Sequence, residues 1–217
     1  MNTLKKILIG AGMSFMVILM PGCDQFETFN ENPNEPTSVG VDVLFTSGLR
    51  NAMNTMVTES FLLGNNIGQL TAKTLRTEVD AYNWNAFPTV WEGLYESLTD
   101  IHQVEVLANA EENQQMEGAA LVTKVWIYAT LTNAYGDIPY SQAIQGGADN
   151  FTPSYDSQDA IYEDLLATLD RAKGLLSGAG SISGDIIYNG NAANWVKLAN
   201  GLTMRLLMTA GDKISSA

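Results

Sequence analysis

The segment from Met116 to Ala143 constrains the fold of this chain more than any other stretch of the sequence. Apolar and small residues recur in it at three- and four-residue steps, the spacing that places one face of an α-helix against a neighbouring element. The positions on this face are Ala120, Lys124, Trp126, Ile127, Leu131 and Ala134. The segment closes in Tyr-Gly-Asp-Ile-Pro-Tyr, where Gly136 tolerates the positive φ that ends helices and Pro139 prevents a restart. The sequence therefore predicts a long packed helix followed by a sharp turn.

Composition excludes several classes of function. The chain has 217 residues and is 46% hydrophobic, which is enough to form a core. Its 24 acidic and 11 basic residues give a formal net charge of −13, and no cluster of Lys and Arg is present to contact phosphates. Nucleic-acid binding is therefore not expected. A single cysteine and a single histidine exclude a disulfide framework and a zinc site built from several imidazoles or thiolates. No Gly-rich phosphate loop occurs, and neither a cofactor nor a metal is predicted.

Residues 1–22 are typical of a bacterial lipoprotein signal peptide. Lys5 and Lys6 precede an apolar run, Ile7 to Met20, which is too short to span a bilayer comfortably. The run ends in Leu-Met-Pro-Gly-Cys, which looks like a lipoprotein cleavage box, so Cys23 is predicted to become the lipidated N-terminus and to anchor the protein to a membrane. The alternative is an ordinary signal peptide with an incidental cysteine.

The rest of the chain divides into a tether and a helical domain. Residues 23–38 comprise the cysteine and an acidic stretch rich in Asn and Pro, without hydrophobic periodicity, and a flexible chain of this length reaches roughly 20 Å. Residues 39–217 form the predicted helical domain. Its helices are expected from Val41 onward, from Pro88 to about Ala110, over 114–135, from an N-cap at Ser157 to 177, and from Ala192 to about Asp212.

The connections between these helices are long. A weaker helical pattern over 61–75 contains Gly and Asn residues that favour a break or a kink. The stretches 77–87, 144–155 and 177–191 read as loops, the last of them docking through Ile186, Ile187 and Tyr188. No strand-length alternating run occurs, so the predicted class is all-α. The pairs 88–110 with 114–135 and 157–177 with 192–212 suggest helical hairpins of the tetratricopeptide kind.

Several motifs in this order resemble the SusD/RagB family of outer-membrane nutrient-binding lipoproteins. They are the lipoprotein leader, Asn-Glu-Asn-Pro-Asn-Glu-Pro in the tether, Tyr-Gly-Asp-Ile-Pro-Tyr at 135–140, Pro-Ser-Tyr-Asp at 153–156 and Asn-Ala-Ala-Asn-Trp-Val-Lys-Leu-Ala-Asn at 191–200. The resemblance implies a surface lipoprotein with a tetratricopeptide-like scaffold that captures glycans or peptides and sits as a lid on a SusC-like TonB-dependent transporter. Members of the family are usually about twice as long. The chain is therefore expected to be an N-terminal portion, incomplete at the C-terminus, with an exposed apolar face on its last helix.

The loop 77–87 is the first candidate for ligand contact. Tyr82 and Trp84 alternate with Asn83 and Asn85 in it, and aromatic faces stack on sugar rings while amides bond hydroxyl groups. The alternative is that the two aromatic side chains only pin the loop to the core.

Other candidates have simpler structural interpretations. Asp137 in the turn could contact a ligand, although the turn residues are those that a helix stop requires. Trp126 and Trp195 lie on helical faces and are predicted to be core. The carboxylates that could be paired for glycoside hydrolysis fall on solvated helix faces or in a polar connector, and they are Glu111, Glu112, Asp159, Glu163 and Asp164.

Catalysis is not predicted. His102 has no partner cysteine or second histidine in the sequence, so it is expected to be a packed or surface histidine. The leading hypothesis is a lipid-anchored binding protein of the outer membrane. The alternative is a tetratricopeptide-type scaffold lipoprotein of the envelope that binds no nutrient.

Overall fold

The computed structural model describes residues 39–75, 77–81, 83, 88–145 and 151–213. The α-helices within these residues are α1 (Val41–Glu59), α2 (Asn65–Ile67), α3 (Pro88–Ala110), α4 (Gln114–Tyr135), α5 (Gln158–Leu176) and α6 (Ala192–Ala210). A π-helical segment, Ser60–Gly64, joins α1 to α2, and a 3₁₀ turn, Gly211–Lys213, follows α6. Two short strands, β1 (Ile138–Pro139) and β2 (Tyr155–Asp156), pair antiparallel with Ile138 opposite Asp156. The predicted all-α class is confirmed.

Local capping chemistry sets the helix ends. Pro88 begins α3 and the Ser157 side chain accepts a hydrogen bond from the first turn of α5, as predicted. The Asn113 and Asn191 side chains cap α4 and α6 in the same way. Gly136 ends α4 at φ +78°, and its N–H donates to the Thr132 carbonyl over 2.8 Å. These ends agree with the predicted ones because each is encoded within a few residues.

The helices pack mainly as successive antiparallel neighbours. α1 packs on α3, α3 on α4, α4 on α5 and α5 on α6, while α6 also returns to α4. Only Glu111–Asn113 separate α3 from α4, and so short a connection forces an antiparallel hairpin. The two predicted hairpins, α3 with α4 and α5 with α6, are therefore confirmed.

α4 is buried on nearly every side, which the sequence pattern did not predict. The single apolar face expected for it is wrong in detail, since Lys124 and Trp126 are only half-buried and Ala134 is exposed. The buried positions include Met116–Thr123, Val125, Ile127–Ala129, Leu131 and Thr132. The physical reason is that α3, α5 and α6 surround this helix.

Close helix packing at α4 depends on a glycine. A Cβ atom at Gly118 would lie 2.8 Å from the Leu176 side chain and 3.0 Å from the Ala172 carbonyl oxygen of α5. Since a backbone oxygen cannot move aside as a flexible side chain can, this position holds α4 and α5 at their observed separation.

The 61–75 segment departs from regular helix, as expected. The departure takes the form of the π-helical turn at Ser60–Gly64, and the helix then continues to Ile67 and ends at Gly68. Leu62, Ile67 and Leu70 are 43%, 40% and 79% exposed, so the apolar pattern that suggested a packed helix there does not form a core face.

The 177–191 loop is held by a buried carboxylate. Asp185 is 7% exposed and accepts hydrogen bonds from the backbone N–H groups of Ile187, Tyr188 and Gly190 and from the indole N–H of Trp195, over 2.8–3.0 Å. Trp195 itself is fully buried, as predicted.

The docking contacts of this loop need one correction. Ile187 and Tyr188 pack on the core as expected, but Ile186 is 53% exposed. Ile182 is buried at 4% exposure in its place. The turn that Asp185 organises directs Ile186 outward, and this turn has no periodic signal in the sequence.

A charged cluster ties α3, α4 and α5 together. Glu105 of α3 accepts a 2.8 Å hydrogen bond from the Lys124 ammonium group of α4, and it lies 3.7 Å from His102 and 3.5 Å from Arg171 of α5. Arg171 also donates to the buried Glu117 over 2.6 Å. Burial alone would raise the pKa of Glu105, but the hydrogen bonds and charges of His102 and Lys124 outweigh it and lower that pKa to about 2.

Candidate ligand-binding region

Of the predicted contact residues, the structure describes Asn83. Asn83 is exposed, and its backbone N–H donates to the Glu78 carbonyl over 2.8 Å. Tyr82, Trp84 and Asn85 lie outside the described residues, as does the predicted lipidation site Cys23. Ligand contact by the loop therefore stays a prediction.

The described part of the loop is bonded to the segment that follows α2. Residues 77–81 form a turn in which the Ala81 N–H donates to the Thr77 carbonyl over 3.0 Å. The Asp80 carboxylate accepts the backbone N–H of Lys73 over 2.9 Å. This bond joins the segment after α2 to the described part of the loop, and an open groove lies between these two segments.

The groove has a volume of about 490 Å³, and we call it the α2 groove. It is lined by Asn66, Gln69, Leu70, Thr71, Ala72, Val79 and Asp80. The Asn66 side chain is buried and braced, since its amide nitrogen donates to the Leu62 carbonyl and its oxygen accepts the Thr71 hydroxyl. The remaining carboxylate, amide and apolar surfaces match a ligand that carries both hydroxyl groups and apolar faces.

The backbone beside the α2 groove is irregular. The π-helical turn Ser60–Gly64 leads into it, and Gln69 adopts a left-handed φ of +55°. Both features cost free energy relative to regular helix. Such strained backbone is found frequently at functional sites. The sequence interpretation missed the groove-lining residues, although the run Gly64-Asn65-Asn66-Ile67-Gly68 marked the irregular backbone.

An aromatic cluster stands at the start of α3, directly after the loop. The Trp91 ring lies 4.9 Å from Tyr95 and 5.1 Å from Tyr135, and it stacks on Tyr155 at 6.3 Å. The Tyr95 hydroxyl donates to the Pro139 carbonyl over 2.6 Å. The 135–140 turn and the 153–156 motif therefore meet on α3, and Tyr155 remains 64% exposed.

The other polar candidates have structural contacts. Asp137 accepts the backbone N–H of Gln158 over 2.9 Å and so holds the start of α5 to the turn. Asp164 accepts a hydrogen bond from the Tyr140 hydroxyl. The other carboxylates considered for glycoside hydrolysis are exposed, and they are Glu111, Glu112, Asp159 and Glu163. Trp126 is partly buried against the core.

Two further findings concern the described residues. They contain no group of three or more His, Cys, Asp and Glu side chains placed to hold a metal ion. Among the helices in the described part of the chain, none combines the length and the apolar character needed to cross a membrane.

Comparison with known proteins identifies the family to which this chain belongs. The successive helical hairpins are those of SusD-like proteins, and residues 33–217 match the SusD-like model of a family described as starch-binding and associating with the outer membrane. The chain belongs to this family. No curated protein matches the sequence.

Solved structures agree with this assignment. A SusD homologue from Bacteroides fragilis NCTC 9343 is 27% identical with a TM-score of 0.64, over 80% of this chain and 36% of that one. A chitin-binding protein is 26% identical with a TM-score of 0.65, over 79% and 38%. A SusD/RagB family protein from Bacteroides thetaiotaomicron, 21% identical with a TM-score of 0.60 over 82% and 40%, shares the fold. The chain thus spans well under half the length of these relatives.

Proposed function

We propose that this protein is a lipid-anchored, cell-surface binding protein that captures a glycan and delivers it to a SusC-like TonB-dependent transporter. The observation that carries the proposal is the family match over residues 33–217. The similarity to a chitin-binding protein favours a glycan over a peptide as the ligand. The proposed role is binding and delivery, without catalysis.

The proposed contact surface is the 77–87 loop together with the α2 groove. Asn83 is exposed, and Asp80 links the loop to the groove through its bond with Lys73. Tyr82 and Trp84 would supply aromatic faces for sugar rings, while Asn83 and Asn85 would bond hydroxyl groups.

Titration of the full-length protein with chito-oligosaccharides, starch oligosaccharides and peptides tests the binding. We expect the oligosaccharides to quench tryptophan fluorescence, and Trp84→Ala to weaken binding by about tenfold or more, since one aromatic platform is lost. Trp126→Phe is the matched control, because Trp126 belongs to α4 and packs on the core. If none of these ligands changes the fluorescence of the wild-type protein, the proposal is wrong and a scaffold lipoprotein that binds no nutrient is favoured.

Fractionation of cells tests the anchor. Cys23→Ala removes the thiol that the acyl chains require, so the variant should leave the outer-membrane fraction, while the wild type stays there. An outer membrane that retains the variant would contradict lipidation at Cys23.

Purification of the wild-type protein from detergent-solubilised outer membranes tests delivery. A SusC-like TonB-dependent transporter should copurify in an equimolar amount, and deletion of the gene of the copurified transporter should abolish its recovery. Recovery of the binding protein alone would contradict the proposed partnership.

A further inference from the structure

A smaller and more enclosed cleft lies between α3, α4, α5 and the segment after β1. Its volume is about 230 Å³. The polar side chains that line it are His102, Lys124, Tyr128, Tyr140, Ser141, Gln145 and Asp164. We call it the Tyr128 cleft. None of its residues lines the α2 groove.

The Tyr128 hydroxyl is the feature that points to a ligand. Tyr128 is only 2% exposed, and the hydrogen bonds found among the described residues do not include its hydroxyl. Every fully buried polar side-chain atom of the described residues does have a hydrogen-bond partner. The Tyr128 hydroxyl must therefore reach the solvent that fills the cleft. Burial raises the pKa of this hydroxyl, and the Glu105 and Asp156 carboxylates add to the effect, so it remains a proton donor.

The polar groups at the cleft already have internal partners. Lys124 donates to Glu105 over 2.8 Å, and His102 faces the same carboxylate at 3.7 Å. Asp164 accepts the hydrogen bond of the Tyr140 hydroxyl. An anion entering the cleft would meet the Asp164 carboxylate and a lysine already bound to Glu105, so the cleft favours a neutral ligand over an anion.

The remaining surface offers both polar and apolar contacts. The amide nitrogen of Gln145 donates to the Ser141 carbonyl over 3.0 Å, which leaves its amide oxygen as an acceptor. The Tyr140 ring meets Tyr128 edge-on at 4.6 Å. Ile144 completes the wall in a left-handed conformation, φ +61°, which is strained for a β-branched residue.

We propose that the Tyr128 cleft is a second binding site, which takes one neutral sugar ring. Drug-sized ligands occupy pockets from about 300 Å³ upward, so the smaller cleft suits a single ring. A sugar ring presents hydroxyl groups that both donate and accept and C–H faces that pack on tyrosine. This inference rests on the proposed glycan-binding function, and it adds a site built from residues other than those of the α2 groove.

Amide NMR of the full-length protein tests the site with glucose, N-acetylglucosamine and galactose as probes. One of these sugars should shift the amide signals of Gln145 and Tyr128 in a saturable way, while sodium acetate and methylamine should not. Tyr128→Phe removes only the hydroxyl group and should weaken this binding about tenfold. Tyr162→Phe is the control, since Tyr162 does not line the cleft and its hydroxyl bonds Asn133, so its loss should leave sugar affinity unchanged.

Comparison with Trp84→Ala separates this inference from the proposed function. Tyr128→Phe should leave oligosaccharide quenching intact, and Trp84→Ala should leave the monosaccharide shifts intact. Oligosaccharide binding without any monosaccharide shift at Gln145 would overturn the cleft site and leave the proposed function standing. Equal affinity of Tyr128→Phe and the wild type for the monosaccharide, or displacement of the sugar by acetate, would also overturn it.

Discussion

Asp185 fixes the conformation of a loop that is otherwise rich in glycine and serine. Its two oxygens serve three backbone N–H groups and the indole of Trp195, so one side chain joins the 177–191 loop to the core. The Thr46 hydroxyl of α1 also donates to the Gly184 carbonyl next to it, over 2.8 Å. The loop is thereby bonded to both α1 and α6.

Asp185→Ala should lower the free energy of unfolding by about 3 kcal/mol, because it leaves buried N–H groups without an acceptor. Urea denaturation of the full-length protein, followed by circular dichroism, measures this change. Glu163→Ala, at an exposed position of α5, should change the same quantity by less than about 0.5 kcal/mol. Equal stability of the two variants would show that the hydrogen bonds of Asp185 do not hold the fold.

Residue environments could be predicted from the sequence only where helical periodicity reports burial. Trp195 falls on a periodic face, and it is buried as predicted. Its partner Asp185 lies in an aperiodic loop, where no pattern distinguishes a buried carboxylate from a solvated one. The same holds for two residues of the α2 groove. Asn66 is placed by its bond with the Thr71 hydroxyl and Asp80 by its bond with the Lys73 N–H, and neither bond has a periodic signal in the sequence.

The α4–α5 interface depends on close backbone approach at Gly118. Gly118→Ala should lower the free energy of unfolding by about 1–3 kcal/mol, because the new Cβ meets the Ala172 carbonyl at 3.0 Å. Gly174→Ala is the matched control within α5, where a Cβ has no neighbour within 4 Å. It should stabilise the protein by about 0.5–1 kcal/mol through helix propensity. Destabilisation by both substitutions to the same extent would contradict this account of the interface.

The charged cluster between α3, α4 and α5 should make the free energy of unfolding depend on pH in the acid range. The pKa of Glu105 falls from its ordinary value of 4.5 to about 2 in the folded protein, so its stabilising effect is complete above pH 4.5. The effect is then lost as the pH falls from 4.5 towards 2. Urea midpoints measured across this range should decline less steeply for Glu105→Gln than for the wild type.

Glu163→Gln is the control for that experiment, because Glu163 is exposed and lies outside the cluster. It should retain the steep decline of the wild type. If Glu105→Gln shows the same decline as Glu163→Gln, the cluster formed by Glu105 with His102, Lys124 and Arg171 does not contribute to acid sensitivity.

Element boundaries were more predictable than element environments. Pro88, Ser157 and Gly136 act within one helical turn of their own positions, and the helix ends fall where they predict. The surroundings of α4 depend on α3, α5 and α6, which are distant in sequence. A helix enclosed by three others needs apolar residues all round, and a search for one apolar face misses this.

At the scale of the whole molecule, three of the sequence motifs have structural roles. The 135–140 turn and the 153–156 strand meet on the aromatic cluster of α3, and the 191–200 segment supplies the cap and the buried tryptophan of α6. Order and spacing of these motifs were therefore sufficient to predict the family and the helical scaffold. The last helix also exposes Met204 and Met208, at 64% and 80%.

The enclosure of α4 has a consequence for the opening motions of the protein. Because α4 contacts the other long helices around it, its amide hydrogens can meet deuterated water only when the whole unit unfolds. Native-state hydrogen exchange should therefore find the slowest amides between Met116 and Thr132, with exchange free energies equal to the global one. The Ser60–Gly64 turn lacks buried side chains and should exchange through local opening, orders of magnitude faster. α4 would thus be the last part of the domain to exchange its amide protons, while the backbone beside the α2 groove opens locally.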